Sequence, residues 1–323
     1  MRFISLPTKG SSWQGPLIYS FATDDGSTTD LLVEIRDDDS GEQIATKRLY
    51  GVAAAEIDIA PYLRSQYYPR VEFSGAIAIV DSKVAKHITV IVNGIESPSQ
   101  LFVPQSFDAS RLTCVSRVPH ENSVARGDMT IFSLFAPARL NIVMTIFRPQ
   151  GRVQHNLRFS SYNHIVDVVI PTANFPDDAT HFVVNISSES MSGPSLRYEI
   201  VECSPQSRQL LWRNPWGGVE SYSFPHSLPI ARSVTVDTLS ASCGEVAKLR
   251  EATHRVRLCS ALESEKRLDE LSELLLSPYV YEFCSGSLHP VRIDRRGVEY
   301  NSSGRLRQLT FDLVEEWKGG ALL

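Results

Sequence analysis

A zinc centre needs four ligands converging at about 2 Å from the ion, so its His and Cys residues usually cluster at short spacings. The eight histidines here, His87, His120, His155, His164, His181, His226, His254 and His289, lie far apart, and the chain has no CxxC and no HExxH. They read as ordinary surface or half-buried side chains. Calcium needs converging oxygens around a glycine-containing loop. Asp37-Asp38-Asp39-Ser40-Gly41-Glu42 and Asp24-Asp25-Gly26 through Asp30 supply acids but not the DxDxDG phasing. Both read as solvated hairpin turns. No metal site is assigned.

Nucleophilic chemistry fares no better. A serine elbow needs GxSxG between a strand and a helix. Neither Gly10-Ser11-Ser12-Trp13 nor Ser242-Cys243-Gly244 supplies it. Cys243 and Cys259 flank an expected strand, as small buried residues do. Gly217-Gly218 and Gly319-Gly320 lack the spacing, lysine and following helix of a phosphate loop. A glycosidase pair of carboxylates needs a cleft that sequence cannot establish, and 37 acids make such a pair uninformative. No catalytic or cofactor-binding residue is assigned, and no cofactor is expected. What remains is aromatic: Trp212, Trp216, Tyr222 and Phe224 concentrate on one stretch. Alternation puts Tyr222 and Phe224 on one strand face, as packing requires. Trp216, at the loop tip, is the first choice for an exposed binding anchor.

The composition narrows the classes further. The 323 residues are 42% hydrophobic and 21% charged, a globular balance that fits neither disorder nor coiled coil. Net charge is −5, against the basic excess of a nucleic-acid or anionic-membrane surface. Residues 1–97 hold 9 Lys+Arg against 13 Asp+Glu, residues 98–204 hold 8 against 9, and residues 205–323 hold 15 against 15. No part is a basic reader. The apolar-looking stretch from Met129 to Phe147 is broken by Pro137, Arg139 and Asn141, so no membrane span is expected and two strands are. The first ten residues lack the apolar run of a signal peptide. Cys114, Cys203, Cys243, Cys259 and Cys284 are therefore expected as reduced thiols.

The elements that must position these residues are mainly strands. A weak repeat recurs at roughly 110 residues, as tandem domains produce. Leu31–Ile35, the turn Asp37–Gly41 and Gln43–Leu49 form one expected hairpin; Asn141–Ile146, Arg148–Gly151 and Val153–Phe159 form its counterpart. Each is followed by a short strand ending at proline, Ala55–Pro61 and Ile165–Pro171, and then by an alternating one, Val71–Val80 and His181–Ile186. Turn signals about every ten residues without helical periodicity indicate two tandem immunoglobulin- or fibronectin-III-like β-sandwiches, residues 1–97 and 98–204. The polar stretch Asn93–Ser99 marks the expected boundary.

Beyond Ser204–Ser207 the pattern becomes α+β, residues 205–323. Gln209–Arg213 and Val219–Phe224 flank the turn-rich Asn214-Pro215-Trp216-Gly217-Gly218 as a hairpin. Ser260-Ala261-Leu262-Glu263 matches a capping box, so one amphipathic helix is expected from there, with Leu268, Leu271, Leu274 and Leu275 on its apolar face and Ser277-Pro278 as its stop. Tyr279–Phe283, Val291–Ile293, Val298–Tyr300 and Leu309–Val314 read as further strands.

The hairpin run from Leu211 to Phe224 resembles a W-x-N-x-x-G-G-x-E-x-Y-x-F pattern of prophage-encoded tail and baseplate structural proteins. Leu275–Tyr281 and Leu309–Leu313 are similar to the C-terminal region of that group, so the resemblance covers about the last 115 residues. It implies a non-enzymatic structural or assembly protein, made in the cytoplasm and built into a tail particle. Its partners would be other structural proteins or copies of itself. The aromatic hairpin, Trp216 above all, would be the interface. The alternative is a carbohydrate- or protein-binding sandwich module of adhesion type; an enzyme using scattered acids ranks last.

Overall fold

The computed structural model describes residues 1–66, 75–108, 111–117, 119–136, 138–160, 164–189, 191–202, 204–241 and 244–319. Among the described residues the chain is mainly β, with strands distributed over five sheets, a short helix at Ala60–Gln66 and a helix of two turns in the last third.

The first sandwich faces a three-stranded sheet, Arg2–Ser5, Ile18–Ala22 and Ala54–Asp58, against a six-stranded sheet built on Thr29–Asp37, Gln43–Val52 and Lys86–Val92. Period-2 alternation sends Tyr19 and Phe21 from one side, and Leu31, Val33, Ile35, Ile88, Val90 and Val92 from the other, into one core. The hairpin expected at Asp37–Gly41 is present. Pro61 ends no strand: Ala54–Asp58 stops earlier and Pro61 lies in the first turn of the helix Ala60–Gln66, where its missing N–H costs nothing. The expected strand at Val71–Phe73 lies outside the described residues.

The second sandwich pairs a four-stranded sheet containing Met129–Ala136 and His164–Pro171 with a five-stranded sheet containing Glu121–Ala125, Leu140–Arg148, Gly151–Phe159, His181–Ser188 and Met191–Val201. Met129–Ala136 and Leu140–Arg148 are the two strands expected there, but they belong to opposite sheets. The chain does not pass from one sandwich to the other at a single point near residue 97. Ala78–Asp81 already belongs to the second, with Ile79 opposite Val168, whereas Gln100–Val103 returns to the first, with Leu101 opposite His87. Asn93-Gly94 is no linker. Both residues have positive φ, 48° and 81°, and they turn the hairpin that sets Val92 against Ile95.

The last third forms a seven-stranded sheet. Arg208–Arg213 and Val219–Phe224 pair as expected, and His226–Ala241, Gly244–Cys259, Ser287–Ser303 and Leu306–Gly319 run as long antiparallel strands beyond them. Val291–Ile293 and Val298–Tyr300 lie on one strand, interrupted by an irregularity between Asp294 and Glu299. The helix spans Glu265–Ser272 and tightens into a 3₁₀ turn at Glu273–Leu275. Its cap is Ser264, whose side chain accepts from Arg267 N, rather than Ser260. Ser260 is held elsewhere: its Oγ accepts from Leu309 N at 2.9 Å, tying the preceding loop to the sheet. Leu268, Leu271 and Leu274 enter the core of the sheet, with Leu275 at its margin.

Candidate functional site at the three-way joint

The aromatic hairpin does not protrude. Trp212 and Phe224 are fully buried, Tyr222 nearly so, and all three pack in the core of the seven-stranded sheet with Leu268 and Phe311. Phe224 meets Phe311 edge to face at 5.2 Å. Trp216 sits half-buried against the core of the first sandwich, beneath the Arg117 guanidinium at 4.0 Å from the ring centroid. The structure thus uses the four residues singled out by sequence within the chain. The loop tip that looked like a free anchor is covered because the hairpin is inserted between the modules.

Backbone contact explains the two glycines. At Gly217, φ is +86°, and a Cβ would lie 2.6 Å from Pro104 Cγ and 2.8 Å from Val84 Cγ1. At Gly218 a Cβ would meet the carbonyl of Val115 at 2.9 Å and Ser116 N at 3.0 Å. Only hydrogen fits at either position. Gln14 reaches the same loop from the first sandwich, donating from Nε2 to Pro215 O at 3.1 Å.

Asn214 closes the loop and joins it to the rest. Its Oδ1 accepts from Trp216 N at 3.0 Å and Gly218 N at 2.9 Å; its Nδ2 donates to Val115 O and to Glu220 Oε1, both at 2.9 Å. All four bonding positions of the amide are filled. Glu220 also accepts from Arg117 N at 3.0 Å. Burial pushes its carboxyl above the usual range, while these donors and Arg267 pull it back.

A second polar group lies under the hairpin. Arg213, 1% exposed, sets its Nη2 3.3 Å from Asp167 Oδ2 and donates from Nη1 to Gly217 O at 2.7 Å. Ser133 donates to Asp167 Oδ1 at 2.5 Å and accepts from Val219 N at 2.7 Å. Burial raises the Asp167 carboxyl, with Arg213 and Ser133 opposing it. Gln209 behaves as an added ladder residue: its Oε1 accepts from Met129 N at 2.8 Å and its Nε2 donates to Met129 O. Around these bonds Met129, Ile131 and Val169 pack on Leu211, Val219 and Tyr281.

Sequence reasoning passed over Ser133, Asp167, Gln209, Arg213, Asn214 and Glu220. For Ser133, Asp167, Gln209 and Arg213 the signal was a polar type inside an otherwise apolar strand; Asn214 lies in the turn and Glu220 in the mixed strand Val219–Phe224, where both are fixed positions of the hairpin pattern. Ser133 resembles a nucleophile with an acid partner, yet its hydroxyl is wholly buried and engaged on both sides, so it has the geometry of a structural bond.

The acidic turns are also occupied. Asp37 accepts from Asp39 N and Lys86 Nζ, Asp38 from Thr89 and Arg36, and Asp39 from His87 N. Among the described residues no group of three or more His, Cys, Asp or Glu is placed to hold a metal ion. Nor does any helix among them have the length and apolarity to cross a membrane. Cys114, Cys259 and Cys284 form no disulfide, while Cys203 and Cys243 lie outside the described residues.

No family model and no curated protein matches the chain. Among solved structures, CBD12 from CALX1.2 is 6% identical over 58% of this chain and 94% of its own, with a TM-score of 0.21. The native conformation of E. coli alpha-2-macroglobulin is 9% identical over 97% of this chain, which spans 19% of its length, also at 0.21. At those scores the sheet order described above, and not the likeness, defines the architecture.

Proposed function

We propose that the chain is a non-enzymatic structural or assembly protein, of the phage or prophage tail or baseplate type that its hairpin resembles. The observation carrying this reading is the joint itself. Polar side chains that in another setting would do chemistry here bond the hairpin to the second sandwich out of contact with solvent, while Gln14 ties its tip to the first sandwich at the surface. A subunit that passes load between neighbours needs its modules fixed to one another, and buried, fully bonded polar networks specify one arrangement.

The test is assembly. Sedimentation velocity and negative-stain microscopy of the purified chain, alone and with tail-type proteins encoded beside it, should give ordered oligomers or defined complexes. A protein that stays monomeric at every concentration and joins none of those neighbours overturns the reading.

One surface favours the alternative of a carbohydrate-binding sandwich. On the outer side of the five-stranded sheet, Arg152, Gln154, Asn156 and Arg158 stand beside Asn141, Thr145 and Asn185. Phe147 and His181 stack there at 4.5 Å. Amide and guanidinium donors next to a ring suit sugar hydroxyls. Glycan-array binding that is lost in Asn156→Ala and Arg158→Ala, by a monomeric protein, would replace the assembly reading with this one.

A further inference from the structure

Three carboxylates and two guanidiniums meet where the segment through Arg117, the Val219–Phe224 strand and the Glu265–Ser272 helix come together. Arg117 Nη1 lies 2.9 Å from Glu273 Oε1, and Arg117 N donates to Glu220 Oε1 at 3.0 Å. Arg267 Nη1 donates to Glu270 Oε2 at 3.2 Å and to Arg117 O at 3.3 Å. The remaining charged neighbours are accounted for at the edge of the group. Glu263 accepts from Tyr222 OH at 2.8 Å, and Glu265 pairs with Arg307 at 3.0 Å. His120, Lys266 and Asp269 line a cleft of about 680 Å³ that opens beside Arg117, Arg267 and Glu270.

The charges do not balance. Glu220, Glu270 and Glu273 would carry three negative charges against the two positive charges of Arg117 and Arg267. One oxygen also lacks a donor: among the described residues Glu273 Oε2 is buried with no hydrogen-bond partner, on a side chain 11% exposed. Glu220 already accepts two bonds, so Glu273 is the acid with most to gain from a proton.

We propose that this cluster is a proton-operated clasp: with a proton on Glu273 it holds the Glu265–Leu275 helical segment against Arg117, and loss of that proton loosens it. The electrostatics agree with the geometry. Burial first, then Glu220 and Glu270, push the Glu273 carboxyl up to about 7 against the pull of Arg117. The folded clasp therefore keeps a proton that the unfolded chain loses near 4.5, so grip is full at the acid end. It declines as pH rises through that window and is weakest above about 7.

Hydrogen exchange of the full chain, corrected for intrinsic rates, tests this in peptides covering 264–277 and 111–121. From pH 6 to pH 8 protection there should fall by about tenfold in all, most of it by about pH 7 and with little further change above about pH 8. Peptides from the first sandwich should not change. Glu273→Gln, neutral and nearly isosteric, should keep the same protection at both pH values. Equal protection at pH 6 and 8 in the wild type, or an undiminished fall in Glu273→Gln, overturns the clasp. Should that variant fail to fold, a residue-assigned carboxyl ¹³C titration of the wild type decides: a Glu273 midpoint between 6 and 8 supports it, and a Glu273 midpoint below 6 refutes it.

Discussion

Replacing Asn214 probes the joint most directly, because its amide fills all four bonding positions with groups from the loop, Val115 and Glu220. Asn214→Ala leaves Trp216 N, Gly218 N, Val115 O and Glu220 Oε1 without these partners. At about 1 kcal/mol for each of four bonds the loss is roughly 4 kcal/mol. That is a large part of the roughly 5–15 kcal/mol that holds a typical domain folded. Asn214→Asp is the sharper test. It keeps both acceptor bonds and nearly the same shape, but places an oxygen where Nδ2 stood, 2.9 Å from both Val115 O and Glu220 Oε1. At pH 8 it should therefore be at least as unstable as the alanine variant. Protonation restores one donor, so its folded-state carboxyl must titrate above its unfolded value, and stability must return as pH falls through that range. Urea unfolding followed by circular dichroism at pH 5.5 and 8 reads both effects. An alanine variant within about 1 kcal/mol of wild type would refute the assignment of Asn214 as the closure of the joint. So would an aspartate variant of wild-type stability at pH 8.

Gly218→Ala should cost roughly 1–3 kcal/mol because its methyl meets backbone atoms that cannot rotate away, and Gly217→Ala should cost more, since it adds left-handed strain to contact with Pro104 and Val84. Gly304→Ala, with φ +63° and open space, isolates the strain alone in the same chemical denaturation series. Removing one member of the buried pair, by Asp167→Leu or Arg213→Met, should each lower stability by roughly 3–5 kcal/mol, while the double variant should lose less than the sum; additivity in the double-mutant cycle would contradict the pairing. Ser264→Ala should lower stability by about 1 kcal/mol through loss of the cap, seen as a lower Tm, and a Tm equal to wild type would reject Ser264 as the capping residue.

Local pairings were legible and non-local ones were not. The hairpins at Asp37–Gly41 and Arg148–Gly151, and the one around Asn214–Gly218, stand out because alternation and turn formers act within a few residues. The exchange of Ala78–Asp81 into the second sandwich depends on Ile165–Pro171, some ninety residues later, and leaves no local mark. The capping box misled for a related reason. Ser260 and Glu263 have the right spacing, but Leu309 claims Ser260, and the helix begins at the next available hydroxyl, Ser264. Trp216 misled because a turn-rich tip reads as exposed until something is known to cover it.

The joint itself left a trace that alternation obscures. Met129–Ala136 is buried at every position, and Arg208–Arg213 at all but its first. Such strands do not alternate polar with apolar, because neither face meets water. Each therefore needs a second layer besides its own sandwich or sheet, and each supplies that layer for the other through Met129, Ile131 and Leu211. In a strand with two buried faces a polar residue cannot be turned toward solvent. It must find a partner inside. Ser133, Gln209 and Arg213 are such residues, and the bonds of all three cross between the Met129–Ala136 sheet and the hairpin. Polar residues embedded in continuously apolar strands are thus the sequence feature that marks where two modules lock, and they locate the joint better than the exposed-looking aromatic at its tip.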